Sequence, residues 1–312
     1  MVYFSIVMEQ ITIFIIYALI GIIAVKANVL NKDGLGVLSK FITKISLPLL
    51  IFTNTINGAT RQQFLEALPI MLATAVMYLL LYLLSLGLSN VFRLKGNERN
   101  VYRACSIFGN NGFMGIPLVA ALFPEQGLLY IALFTVVDQM VLWTVGMTLT
   151  APVDQVSSMS IPAKLKKMIN PAVIGILLAV IGVFLVVQLP APLNTALTKT
   201  GAISTPLAMI YLGGIFCYTN IREYLKKAEI YGTIILKMCI FPVLFFYLLK
   251  WMPGITQEIA VTMSVLSALP TMTTVAMLSQ IQKSADEYSA GMVFVTTLFS
   301  IVTLPLVCLL IG

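Results

Sequence analysis

Two short stretches hold most of the polar chemistry found inside otherwise apolar sequence: Gly109-Asn110-Asn111-Gly112 and Pro270-Thr271-Met272-Thr273-Thr274. Neither pairs a nucleophile with a base. Both contain residues that interrupt helices, since glycine weakens a helix interior and proline lacks an N–H and clashes with the preceding turn. Asparagine and threonine can then cap a restarted helix and offer donors and acceptors to a ligand. A helix broken in this way exposes unpaired N–H groups at the start of its second half, with the positive end of a helix dipole behind them. Anions bind at such points. The substrate-binding set expected from the sequence is therefore Gly109, Asn110, Asn111, Gly112, Pro270, Thr271, Thr273 and Thr274. A small-residue cluster also permits close helix packing, and that use would account for either stretch alone.

Asp138, followed by Gln139, is the acidic residue deep within an apolar stretch. A carboxylate there must be paired, hydrated, protonated or bound to a cation. Asp138 and Gln139 are thus a candidate coupling-ion site for H+ or Na+, a gate, or a structural partner for neighbouring helices. Lys40, Lys44 and Lys237 lie where they can snorkel to the inner face, with Lys44 also within reach of an anion. Thr53, Asn54 and Thr55 are candidates for an outer vestibule. The chain has no histidine, which excludes His-based metal sites and general bases, and Cys105, Cys217, Cys239 and Cys308 read as packing residues. No phosphate loop, dinucleotide fingerprint or hydrolase motif stands in the loops. An enzyme, an organic cofactor and a nucleic-acid partner are accordingly not expected.

The elements that must position these residues are membrane spans. Of 312 residues 59% are hydrophobic and 10% charged, where a soluble domain carries about 25% charged residues. Apolar segments recur at roughly 8–29, 35–57, 65–92, 101–123, 127–150, 171–188, 201–221, 230–251, 256–280 and 285–311, long enough to span a bilayer core. The expected fold is an all-α membrane protein of ten transmembrane helices in a single domain, 1–312. Loops after the odd-numbered spans hold 13 Lys and Arg residues and the opposite loops three. That bias places both termini outside a cytoplasmic membrane, and it accounts for the basic run at 164–167.

The halves resemble each other. Ile45-Ser46-Leu47-Pro48-Leu49 in span 2 and Ile203-Ser204-Thr205-Pro206-Leu207 in span 7 are offset by 158 (206 − 48), and the same offset relates Tyr130 to Tyr288 and Ala132 to Ala290. An odd number of spans per repeat inverts the second copy, so repeats 8–150 and 165–312 would be two inverted five-helix repeats. The two interrupted stretches then fall in the fourth span of each half. Matching interruptions in two halves are the sequence pointer to a secondary-transport site.

At these residues the chain resembles the auxin efflux carrier family, in its prokaryotic, carboxylate-permease-like branch. The resemblance is carried by "SLPLLIF" (46–52), "FGNNGFMGIPL" (108–118), "NPAVIGILL" (170–178), "TPLAMIYLGG" (205–214) and "ALPTMTTVAMLSQIQKSADEYSAGMVFVTTLFSIVTLPL" (268–306). It implies broken helices 4 and 9 crossing at mid-membrane beside a carboxylate site. Helices 1, 2, 6 and 7 would form a scaffold, and helices 3–5 and 8–10 a moving transport domain. Asn110 falls at the family's crossover asparagine and Pro270 at its crossover proline. Plant members usually carry proline where Gly109 stands, prokaryotic relatives often carry asparagine within the Thr271–Thr274 run, and the long plant loop is reduced here to 151–170. The resemblance implies an elevator-type secondary transporter of small organic anions, with a homodimer as a further implication. Alternatives are a sodium-coupled bile-acid-type symporter and a carboxylate sensor that does not transport.

Overall fold

Where no water is at hand, a backbone must pair its own polar groups, and long runs of Leu, Ile, Val and Phe do so as helices. The computed structural model describes residues 2–66, 68–154 and 171–311; the basic run 164–167 and the expected repeat start at 165 lie outside them. The described residues form α1 (Val2–Lys26), α2 (Lys32–Gly58), α3 (Leu68–Val91), α4 (Gly96–Ile107), α5 (Asn111–Leu122) and α6 (Gly127–Leu149). They continue with α7 (Pro171–Phe184), α8 (Ala191–Ala202), α9 (Ser204–Phe216), α10 (Ala228–Leu249), α11 (Gln257–Ala268), α12 (Thr273–Gln282) and α13 (Asp286–Ile311). Helices α1, α2, α3, α6, α10 and α13 are long and apolar enough to cross a membrane.

Helix α8 occupies sequence expected to be a loop. Its Asn194, Thr195, Thr198, Lys199 and Thr200 lower the hydropathy of the stretch, yet Pro190 and Pro192 stand at its start, where proline's fixed φ suits a helix. Prolines act differently inside the longer helices. Pro48, Pro117 and Pro242 each follow a π-helical turn, at Ile42–Ser46, Asn111–Gly115 and Ile234–Ile240. Proline cannot donate and crowds the carbonyl four residues before it; widening the preceding turn is one way to relieve that crowding.

Burial sorts the helices into two kinds. Ile16, Leu19 and Ile23 of α1, Leu72, Leu79 and Leu83 of α3, and Leu177, Leu178 and Ile181 of α7 are exposed apolar residues, suited to face lipid tails. Every residue from Ile259 to Ser279 is buried, as is nearly all of 101–119. The interrupted helices are therefore enclosed by protein. Irregular backbone survives at membrane depth only in such a setting.

The outer helices pack closely through glycine. A Cβ on Gly213 of α9 would overlap the carbonyl oxygen of Ala18 in α1, and one on Gly21 would overlap the carbonyl oxygen of Ile210. Both substitutions meet rigid backbone, not a movable side-chain end. Gly213→Val should therefore separate α1 from α9 and cost about 1–3 kcal/mol, seen as a lowered melting temperature of the detergent-solubilised protein; an unchanged melting temperature would mean that this seam adds little to stability.

Candidate functional site: the junction of two interrupted helices

The chain between α4 and α5 and the chain between α11 and α12 leave helical geometry at facing points. Phe108 (φ −90°, ψ 116°), Leu269 (φ −58°, ψ 146°) and Met272 (φ −65°, ψ 124°) are all extended. For Leu269 this follows from its place before Pro270. The extended pieces pair antiparallel at Gly109 and Thr271. Asn110 N–H donates to the Pro270 carbonyl at 2.8 Å, and Met272 N–H donates to the Phe108 carbonyl at 3.0 Å. Each break thus satisfies part of the other's freed backbone, which lowers the cost of an interruption away from water. A Cβ on Gly109 would come within 3.1 Å of the Leu266 carbonyl oxygen, so close approach of the strands favours glycine here. Gly112 has ordinary clearance, its added Cβ meeting Leu47 at 3.6 Å.

The second halves restart differently, α5 through a π-helical turn and α12 through a tighter one. Met114 and Gly115 N–H donate to the Asn110 carbonyl at 2.9 and 3.0 Å, and Val275 N–H donates to the Met272 carbonyl at 3.0 Å. The first N–H groups of α5 and α12 are left without intrahelical partners, as at any helix start. Of the backbone N–H groups at the two breaks, those of Asn110, Asn111, Thr271 and Met272 are already engaged, that of Asn111 with the Gly109 carbonyl at 2.7 Å and that of Thr271 with Thr296 Oγ1 at 3.1 Å. An incoming anion is left with the N–H groups of the following turn and the side chains.

Those side chains form two clusters that share the asparagine pair. In the first, Asn110 Nδ2 donates to Thr273 Oγ1 at 3.1 Å across the two breaks. In the second, Asn111 Nδ2 donates to Asp138 Oδ1 at 3.1 Å and to Tyr78 Oη at 3.2 Å. Tyr78 O–H also donates to Asp138 Oδ1, and Gln139 Nε2 donates to Asp138 Oδ2 at 2.8 Å. All of these residues are buried, and among the described residues Oδ1 of both Asn110 and Asn111 has no hydrogen-bond partner. Thr271 belongs to neither cluster, because its Oγ1 donates to the Cys105 carbonyl at 3.0 Å. Thr274 is buried on the first turn of α12, and Pro270 takes part through its carbonyl.

Two contributors escape a reading by hydropathy. Tyr78 looks like one more aromatic of a long span. Lys237, expected to snorkel, is instead 1% exposed, and its Nζ donates to the carbonyl of Leu269. It sits in the π-helical turn of α10 and meets the chain where α11 ends. The negative end of a helix dipole favours a cation there. Lys40 and Lys44 are exposed. Beside the junction, a cavity of about 430 Å³ is lined by residues including Gln10, Tyr17, Asn54, Pro117, Thr205 and Pro206.

Membrane-length apolar helices enclosing a pair of interrupted helices, with amides and a carboxylate buried at the interruptions, define a multi-pass membrane protein built around a polar junction. The chain matches the model of the membrane transport protein family over residues 6–308 and belongs to that family, which is that of the auxin efflux carriers. It is 25% identical over 311 residues to an uncharacterized transporter of Methanocaldococcus jannaschii, covering 96% of this chain and 97% of that one. It is also 25% identical over 282 residues to a Rhizobium meliloti protein named as a candidate malonate transporter, covering 87% of this chain and 85% of the relative.

Proposed function

We propose that the chain is a secondary active transporter of small carboxylates across a cytoplasmic membrane. The observation that carries this reading is the pairing of two interrupted helices around Asn110 and Thr273, both buried. A carboxylate docks at the starts of α5 and α12. There it exchanges water for helix N–H groups, the amide of Asn110 and the hydroxyls of Thr273 and Thr274. The Rhizobium relative's name supports a carboxylate as the cargo.

An inverted repeat accounts for the architecture. Helix ends recur at the sequence offset: Lys26 and Phe184, Gly58 and Phe216, and Val91 and Leu249 each lie 158 residues apart (184 − 26, 216 − 58, 249 − 91). In this reading α1, α2 and α7–α9 are the scaffold, and the remaining helices carry the substrate in an elevator-type movement. The cavity lined by Asn54 is its approach from outside, where both termini also lie.

The test is substrate-induced current in proteoliposomes, with isotope flux beside it, on malonate, malate, acetate, indole-3-acetate and taurocholate. Saturable flux of one or more small carboxylates is the expected result. Silence in both assays from folded, inserted protein would overturn the proposal.

A further inference from the structure

Among the described residues, the hydrogen bonds to the Asp138 carboxylate all come from donors. Tyr78 O–H and Asn111 Nδ2 donate to Oδ1, and Gln139 Nε2 donates to Oδ2. Gln139 cannot turn its oxygen inward, because Oε1 accepts from Trp143 Nε1 at 2.9 Å. The part of α6 that carries Asp138 packs against Leu47–Gly58, α3, α5 and α7. Tyr78 is the titratable group facing Asp138 from α3; Leu47–Gly58, α5 and α7 contain no charged or titratable residue. A metal cation needs several oxygen ligands turned toward it, whereas in the arrangement present Tyr78 O–H and the amide N–H groups of Asn111 and Gln139 are turned to the carboxylate as donors. A proton needs only the carboxylate.

Asn111 has one uncommitted end. Its Oδ1 is buried without a hydrogen-bond partner among the described residues and lies on the side of Gly109, 3.5 Å from where a Cβ on that residue would stand. While Asp138 is ionised, Asn111 is held with Nδ2 on the carboxylate and shows the helix break an acceptor, which repels a carboxylate. We propose that Asp138 is the proton-binding site of the transporter and that Asn111 couples that proton to the substrate by turning its amide. This rests on the carboxylate-transport reading above.

The steps balance without another reactant. A proton from water binds Asp138 Oδ1, which becomes a hydroxyl and can donate. The Asn111 amide turns by half a revolution about its last torsion, so that Oδ1 accepts from Asp138 O–H. Its two N–H bonds then face the break, where a carboxylate accepts them. Tyr78 O–H keeps donating, now to the hydroxyl oxygen of Asp138, and Gln139 keeps donating to Oδ2. Proton and carboxylate each favour the other's binding by the same factor. The resulting transport is symport of a carboxylate with H+.

The test is malonate binding to the full chain in nanodiscs, by calorimetry at about pH 6.5, 7.5 and 8.5, in buffers of different ionisation enthalpy. The expected wild-type result is a Kd that rises by up to about tenfold per pH unit, with one proton taken up per malonate bound at the alkaline end. Asp138→Asn, whose neutral amide can donate to Asn111 as the protonated acid does, should bind malonate at every pH as the wild type does at the lowest. It should take up no proton. Asn111→Ala should bind weakly and without pH dependence. A wild-type Kd that is flat with pH, a pH dependence kept in Asp138→Asn, or a requirement for sodium would each overturn the proposal. If Asp138→Asn does not fold, the wild-type proton count decides alone. Absence of binding by the wild type to malonate and every other carboxylate, at all pH values, is a different failure: it removes the transport reading itself.

Discussion

Asn110→Ala should lower carboxylate flux in proteoliposomes by about 10- to 100-fold while leaving the protein folded. The fold survives because the bond that joins the two breaks at this residue uses its backbone: the Asn110 N–H that donates to the Pro270 carbonyl is unchanged by the substitution. What disappears is the amide. In the structure Nδ2 donates to Thr273 Oγ1, and Oδ1 has no partner among the described residues. A threonine hydroxyl can donate as well as accept, so the amide can turn, take its oxygen to Thr273 and present N–H groups to a carboxylate. A hydrogen bond to a charged group contributes roughly 1.5–3 kcal/mol, about one to two powers of ten in affinity. Asn110→Asp should go further, because a carboxylate in that place repels the substrate outright. Wild-type flux in Asn110→Ala would move the substrate away from the junction.

Lys237→Met should weaken carboxylate binding by about tenfold or more without lowering the melting temperature. A buried ammonium with one carbonyl partner is costly to desolvate, and among the described residues no carboxylate pairs with Lys237. Methionine fills a similar volume without a charge, so stability should hold or rise. The loss should appear in function, because the ammonium sits at Leu269, next to the break, and contributes positive potential where an anion is to arrive. Dianions should suffer more than monoanions, since the attraction scales with charge. A variant destabilised by several degrees yet unaltered in malonate affinity would make Lys237 a structural tie for the end of α11.

The sequence shows where the helices break more readily than what the breaks touch. Glycine, asparagine and proline announce an interruption by local chemistry, and both interruptions fall where those residues stand. The partners are another matter. Asn111 and Asp138 are 27 residues apart, and Tyr78 lies 33 before Asn111; only packing of α3, α5 and α6 brings them together. Thr271 and Thr273 look equivalent in sequence, but the extended backbone between them turns one hydroxyl to the Cys105 carbonyl and the other to Asn110. Lys237 misleads for the same reason. Distance along a span says that a lysine can reach the aqueous face, and the direction of its side chain decides that it does not. Hydropathy likewise passes over α8, whose polar residues conceal a helix that its prolines start.

The backbone bonds between Phe108–Asn110 and Pro270–Met272 act as a rivet. Sliding α4–α5 past α11–α12 would break both bonds at once and leave carbonyls and N–H groups stranded far from water, so these four segments should travel as a single rigid body. On the opposite flank, glycine against backbone locks α1 to α9 with equally little play. Between the rivet and that seam lies the 430 Å³ cavity, lined by α1, α2 and the α8–α9 region on one side and by Ile116 and Pro117 on the other. In the elevator-type movement proposed above, this cavity would be the loose bearing surface, and a bulky side chain wedged into it should act as a brake.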